Sequence, residues 1–553
     1  MKNIVLIIGL LAAMNIGAAA KVEFGWGESG KHYAEAEKPA FEKAPFKFTA
    51  WKGERINAMA LVWSDESLIN LKASVSAISA KAYTLPEGSA SASFVCYVAG
   101  DVLAPGFNQC GKRDTVNWQA ISRADRFCGP ALDSAPAGKV HPIWISIDVP
   151  SDTPEGLYKG SLTLEAEGLC KTLPFSFKVG PRTLTAAHER PFRLDLWQNP
   201  YAVARVAGVR PWSPEHFEAM KPVMSMLARA GQKVVTTTII DRPWNGQTED
   251  PFGSMVTKVR RIDGTWLYDF TIFDRWVEFM EGLGIDGGIG CYTMIPWKHE
   301  YDFFDQATGK VAVINALPGT PEYEDYWGHF IMEFAAHLKA KGWFEKTSIA
   351  MDERGEEGMK AALAVIHKYE PAMRVALAGS YHPSIADEID DYCLAFKESF
   401  TEGEVERRRE ALQYSTYYTC CAERYPNTFI ASEPAEACWL AMVAMQKGVE
   451  GYLRWAFNSW TADPEHDARF RSWAAGDTYM VYPGGMSSPR FEKLCEGLQD
   501  YEKARLLREE WQGDPSKAKK IAALEKAIDA FTLQVIEASG PIPSVENLRK
   551  VFE

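Results

Sequence analysis

Two adjacent carboxylates, Asp352 and Glu353, carry the sharpest chemical signal in the chain. They follow an apolar run at 348–351 and precede a helical pattern at 358–369. That order predicts a buried strand whose end delivers both acids into a loop before the next helix. Neighbouring carboxylates repel, so one of them holds its proton more readily than an isolated acid. A proton held near neutral pH is what general acid catalysis requires. The plainer role is to favour the positive N-terminus of the following helix. That role accounts for Glu356 and Glu357 better than for the pair abutting the strand.

Other polar and aromatic side chains recur where apolar segments end. They are Trp197 and Asn199, Asp241 and Trp244, Tyr292 and Trp297, and Tyr381 and His382. The adjacent Tyr417 and Tyr418 follow, with Tyr417 the binding candidate, and then Trp455, Asn458 and Trp460. Acids and amides bind hydroxyls, and aromatic faces take the apolar side of a sugar ring, so a mouth of this composition suits a carbohydrate. His382 offers a second acid or base, although a loop histidine commonly has only structural partners. No Ser-His-Asp spacing, phosphate loop or GxGxxG motif stands out.

One fold places all these groups together. Residues 21–182 read as short alternating strands with Pro and Gly punctuation, the pattern of a β-sandwich. Beyond Gly180-Pro181-Arg182, strand and helix patterns alternate, giving about eight βα units over 190–475. This predicts a (β/α)8 TIM barrel, whose chemistry sits at the C-terminal ends of its strands. Residues 476–553 form a C-terminal helical segment expected to pack on the barrel. The fold class is therefore multidomain, β followed by α/β.

Composition narrows the function. The 553 residues are 46% apolar and 12% aromatic, with 18 Trp, which fits either a large core or aromatic sugar platforms. The net charge of −13, without a basic cluster, argues against nucleic acid and anionic membranes. Residues 1–20 have the charged start, apolar stretch and small-residue end of a cleaved signal peptide, so a periplasmic or secreted protein is expected. No other stretch is long and apolar enough for membrane insertion. There are 10 Cys, and that compartment permits disulfides. Their pairing is not legible, although Cys420 and Cys421 are adjacent and raise the question of a vicinal bridge. The absence of CxxC and HExxH patterns argues against zinc, and no cofactor or metal is expected.

A family resemblance rests on three stretches. They are Leu194-Asp195-Leu196-Trp197-Gln198-Asn199-Pro200, Asp352-Glu353-Arg354, and Leu453-Arg454-Trp455-Ala456-Phe457-Asn458. With a β-sandwich ahead of a barrel, the chain resembles glycoside hydrolase family 123 over nearly all its mature length. The resemblance implies an exo-acting N-acetyl-β-galactosaminidase that removes terminal β-GalNAc from glycans such as those of glycosphingolipids. It implies retention of configuration by substrate assistance: the 2-acetamido oxygen attacks the anomeric carbon and forms an oxazolinium. Glu353 would be the general acid/base, and Asp352 would orient the acetamido N–H. Tyr292 or Tyr381 would serve the acetamido pocket, and Trp455 or Trp460 the sugar platform. Two other readings stand beside it. One is a glycosidase using two separated carboxylates, such as Asp241 with Glu353; the other is a carbohydrate-binding protein without catalysis. Natural glycan, linkage and oligomeric state are not legible.

Overall fold

A computed structural model describes residues 21–46, 48–103, 110–111, 113 and 118–553; the leader read at 1–20 lies outside the described residues. The N-terminal strands form two largely antiparallel sheets. The first runs in the order Val22–Gly27, Arg55–Ser64, Val140–Asp148, Ala90–Asp101, Ala120–Phe127. The second is built on Thr49–Lys52, Leu169–Thr183, Gly156–Ala166, Leu68–Val75 and Ala131–Ala135. Period-two alternation decides which side chains meet. Ile143, Ile145 and Ile147 share one apolar cluster with Tyr158, Leu162, Leu164, Phe175 and Phe177 of the second sheet. The intervening Trp144 and Ser146 face the other way, and both donate to Asn57 Oδ1, at 3.2 and 2.7 Å. The first sheet is thus buried on both faces.

Eight parallel strands follow: β1 (Arg193–Leu196), β2 (Val234–Thr238), β3 (Gly288–Tyr292), β4 (Thr347–Asp352), β5 (Arg374–Gly379), β6 (Asp391–Ala395), β7 (Tyr414–Tyr418) and β8 (Gly451–Arg454). Their ladder is continuous from β2 through β3 to β8 and on to β1. Between β1 and β2 the ladder is replaced by two buried glutamines. Gln232 Oε1 accepts from Leu196 N–H at 3.0 Å, and Gln198 Oε1 accepts from Thr236 N–H at 2.9 Å. A parallel bridge, Leu194 to Gln232, completes a nearly closed barrel.

The helices are α1 (Pro200–Ala207), α2 (Pro214–Ala230), α3 (Thr271–Gly282), α4 (Pro321–Lys341), α5 (Glu356–Tyr369), α6 (Glu404–Glu410) and α7 (Glu436–Lys447). Ser213 and Thr320 cap α2 and α4 ahead of a proline, as their sequences predict. A 3-10 turn, Pro383–Glu388, stands where a helix between β5 and β6 would be. Four further strands, Thr257–Arg260, Trp266–Asp269, Glu300–Asp305 and Lys310–Asn315, form a separate sheet from the loops after β2 and β3. Their short, half-exposed alternation merges with loop composition, so the sequence reading did not separate them.

The C-terminal region contains α8 (Pro489–Trp511), α9 (Ala518–Ile528), α10 (Leu533–Ser539) and α11 (Ile542–Val551). The C-terminal helical segment read at 476–553 is thus four helices, the first preceded by irregular chain. α8 packs against α7 and also meets the first N-terminal sheet, so much of its charged surface is buried. No helix among the described residues is long and apolar enough to cross a membrane.

Candidate active site

β4 ends at Asp352, and the chain turns at Glu353 with φ +51°, a left-handed conformation that costs a non-glycine residue about 1–2 kcal/mol. In a continuing strand the two carboxylates would face opposite sides of the sheet. The turn instead lets both line one cavity. Its surroundings hold it in place. Glu353 N–H donates to Ala378 O at 2.7 Å, and a Cβ on Gly379 of β5 would come within 3.3 Å of Glu353 Cα. Arg354 folds back to donate from Nε to Asp352 O at 2.7 Å, with its guanidinium 5.4 Å from the Trp297 ring centroid.

The cavity measures about 260 Å³ and is walled by Trp197, Trp297, Tyr418, Trp455 and Trp473, with Gln247 and Cys420 at its edge. Trp197 stacks on Trp244 at 4.8 Å and meets Tyr292 at 4.5 Å, so the ring at the wall is backed by two more. Trp455 donates to Asp477 Oδ1 at 3.3 Å, and Asp477 is itself ion-paired with Arg454 at 2.7 Å. That buried pair fixes the indole in orientation.

Burial acts on Asp352. Burial, and secondly the Glu353 charge, push the Asp352 carboxyl up to about 7, with Arg354 and the indoles of Trp244 and Trp297 pulling the other way. Trp244 Nε1 nevertheless lies outside hydrogen-bonding geometry, and the Trp197 and Trp244 N–H groups are buried without a protein acceptor among the described residues. Glu353 is exposed, and its Oε1 accepts from Tyr418 O–H at 2.9 Å. Burial and the neighbouring Glu353 raise the Tyr418 phenol, which keeps its proton and remains a donor.

Of the expected site residues, Asp352, Glu353, Trp197, Trp297 and Trp455 line the cavity, and Tyr292 stands behind its wall. Tyr417 does not: strand parity turns it outward, where its O–H donates to Leu440 O at 2.6 Å, and Tyr418 faces the acids. The Asn458 side chain grips the Asn199 backbone, its Oδ1 accepting from Asn199 N–H and its Nδ2 donating to Asn199 O, each at 2.9 Å, while the Asn199 side chain caps α1. Trp460 is buried with Nε1 on Val481 O at 2.7 Å. Tyr381 packs on Tyr392 and Phe400. His382 Nε2 meets Arg354 O at 3.2 Å, bracing the acidic turn from outside. Asp241 lines a separate groove of about 170 Å³ with Arg242, Lys298 and Asp302.

Sequence reasoning missed Trp473, Gln247 and the cysteines. Trp473 and Gln247 lie in loops without periodicity, and only the high Trp count hinted at the former. The cysteines arrive through a disulfide between Cys110 and Cys421, which brings the N-terminal region to the cavity wall. A second disulfide joins Cys96 to Cys128. The vicinal pair is not bridged: the sulfurs of Cys420 and Cys421 are 4.0 Å apart. The sulfurs of Cys110, Cys420 and Cys421 cluster within 4.8 Å, but two are spent in the disulfide and cannot act as thiolate ligands.

The profile "Glycoside hydrolase 123, catalytic domain" matches residues 197–507, and "Glycoside hydrolase 123 N-terminal domain" matches 26–166. No curated protein matches the chain. Among solved structures, a family 123 glycoside hydrolase from Clostridium perfringens superposes with a TM-score of 0.85 at 24% identity, over 96% of this chain and 97% of that one. A xylanase from termite gut containing a bacterial Ig-like domain matches at 12% identity, over 65% of this chain and 90% of that one, with a TM-score of 0.31. An endo-β-1,4-mannanase from Thermotoga petrophila matches at 11% identity, over 57% and 78%, with a TM-score of 0.32. The last two are too distant to carry an argument. The catalytic profile spans more than half of the residues, and the N-terminal profile precedes it in the same chain: the chain belongs to glycoside hydrolase family 123.

Proposed function

We propose that the protein is an exo-acting, retaining β-N-acetylgalactosaminidase that works by substrate assistance. One observation carries this reading: Asp352 and Glu353 are the only carboxylates lining the cavity among the described residues, and they are neighbours on one strand end. A retaining enzyme with its own nucleophile needs two carboxylates about 5–5.5 Å apart, flanking the scissile bond. The partner considered for Glu353, Asp241, lines a different groove. A nucleophile brought by the sugar removes the need for a second flanking carboxylate.

In this scheme Glu353 protonates the leaving oxygen and later deprotonates the incoming water, so the proton returns to the same carboxylate. Tyr418 O–H holds Glu353 in register. Asp352 accepts the acetamido N–H, turning the acetamido oxygen toward the anomeric carbon and stabilising the positive charge that develops there. Water opens the oxazolinium, and configuration is retained. The indole faces of Trp455 and Trp297 take the sugar's apolar side. The small walled cavity supports a terminal sugar over an internal one. The Clostridium perfringens structure is described for glycolipid glycan hydrolysis, and we place this chain's substrates in the same class. The leader supports a periplasmic or secreted site of action, and the paired N-terminal sheets support a β-sandwich.

Aryl β-glycosides of GalNAc, GlcNAc and galactose test the proposal. Activity is expected on β-GalNAc, with Glu353→Gln and Asp352→Asn each lowering kcat by about 10² or more. Efficient hydrolysis of the galactoside, which has no acetamido group, would overturn substrate assistance.

A further inference from the structure

A second cavity, of about 450 Å³, lies where the N-terminal region meets the barrel. It is lined by the C-terminal ends of α2 (Ala228 to Ala230) and α3 (Leu283, Gly284), which lead into β2 and β3. It therefore opens at the N-terminal end of the strands, opposite the carboxylate pair. Three arginines line it: Arg55, Arg190 and Arg229.

Their states differ. Arg55 is spent, with Nε on Glu492 and Nη1 on both oxygens of Asp148, each at 2.9 Å. Arg229 has side-chain exposure of 45% and touches Glu492 only at 3.5 Å. Arg190 is the unusual one. It is 9% exposed, and Nε donates to Thr185 O at 3.0 Å. Its two terminal nitrogens meet no acceptor among the described residues, and it forms no ion pair with them. The nearby acids are committed elsewhere: Glu54 to Lys503 and the Trp51 N–H, and Glu502 to Thr185 and Arg505. Burial pulls the Arg190 guanidinium below its ordinary pKa, and the charges of Glu502 and Glu54 only partly offset it. The helix ends add little competing negative charge, because Gly231, Gln232, Gly284 and Ile285 already donate back to their last carbonyls.

The terminal nitrogens of Arg190 open onto the cavity, where only water or a bound ligand can accept from them. The planar fork of a guanidinium matches the oxygens of a sulfate, phosphate or carboxylate group two at a time. We propose that this cavity is a non-catalytic binding site for a tetrahedral oxyanion, either the free ion or a sulfate or phosphate ester on a sugar. Arg190 is its principal ligand, and Arg229 closes on it from the rim. The volume exceeds what a bare ion fills and has room for a sugar body. Cavity and cation are independent of the carboxylate pair, so the site does not rest on the proposed substrate.

Calorimetric titration of the whole protein at low ionic strength tests this, using inorganic sulfate, inorganic phosphate, a hexosamine 6-sulfate and the same sugar without sulfate. Sulfate-dependent binding is expected in the wild type and in Glu353→Gln. It should weaken 10-fold or more in Arg190→Gln, and less in Arg229→Gln, with aryl glycoside turnover unchanged in both. Tighter binding of the sulfated sugar than of inorganic sulfate assigns the ester as ligand; equal binding assigns the free ion. Should Arg190→Gln fail to fold, protection of wild-type Arg190 from phenylglyoxal by sulfate, read by mass spectrometry, replaces it. Absence of sulfate-dependent binding, binding unchanged in Arg190→Gln, or no protection of Arg190 overturns the proposal. Loss of activity on β-GalNAc would overturn the catalytic reading and leave these isotherms untouched.

Discussion

At the scale of the residue, Asp352 sets a conflict between stability and use. Its carboxyl titrates near 3.8 unperturbed and is raised to about 7 in the fold. Below about pH 4 the folded and unfolded chains both carry the proton, and the group contributes no difference. Between about 4 and 7 the unfolded chain releases it first, so stability falls as pH rises, and above 7 the penalty is complete. Asp352→Asn is therefore expected to unfold at a higher temperature than the wild type above pH 7, and at the same temperature near pH 4. Thermal unfolding across pH measures this, and a difference that does not depend on pH would contradict it. The reaction needs the ionised form if the acetamido N–H is to be accepted. The acidic limb of kcat/KM should accordingly have a midpoint near 7, and Asp352→Asn should lose that limb along with most of its activity. The left-handed turn at Glu353 belongs to the same pattern, in which local cost is concentrated at the proposed site.

At the scale of the element, α8 stands out for the charge it buries. The sequence reading expected a helix packed on the barrel, and the structure buries its charged side chains Arg490, Glu492, Glu496 and Lys503. They are compensated across the molecule. Arg490 holds Asp125 of the first N-terminal sheet through two bonds of 2.8 and 2.6 Å, and Tyr482 O–H adds a third at 2.6 Å. Lys503 pairs with Glu54 at 2.5 Å, and Arg549 with Asp500 at 2.7 Å. Such pairs add little net stability over an apolar core, but losing one partner strands a buried charge. Asp125→Asn should cost about 3–5 kcal/mol in urea-induced unfolding, whereas exposed Asp463→Asn should cost less than about 1 kcal/mol. A small loss at Asp125 would mean that Arg490 finds water in its place.

At the scale of the molecule, the Cys110–Cys421 disulfide spans 311 residues and places part of the N-terminal region against the cavity that holds Asp352 and Glu353. Cross-linking so long a loop restricts the unfolded chain and is worth up to about 5 kcal/mol. Because Cys110 lines the cavity, its release should also disturb the site. Cys110→Ser is expected to lower Tm and raise KM for the aryl glycoside. Opening Cys96–Cys128, which closes a loop of only 32 residues and does not line the cavity, should lower Tm alone. Unchanged KM in Cys110→Ser would reduce the disulfide to a staple.

Local pattern by itself determined the order of the eight barrel strands. Strand-helix alternation marked the barrel, Ser213-Pro214 and Thr320-Pro321 marked helix starts, and the apolar run before Asp352 and Glu353 marked the C-terminal end of β4. These signals are short in range, because propensity, capping and burial act over a few residues. Only the tertiary structure decided the rest. Strand parity chose Tyr418 over Tyr417, which a one-residue register change would reverse. Hydrogen bonds between loops took Asn199 and Asn458 out of the mouth and made them a brace. Trp473 and the Cys110–Cys421 wall came from segments remote in sequence from β4, and no local signal couples such segments. The two carboxylates were legible because a strand end declares itself; the cavity around them was not, because its walls are assembled from loops whose positions depend on the whole fold.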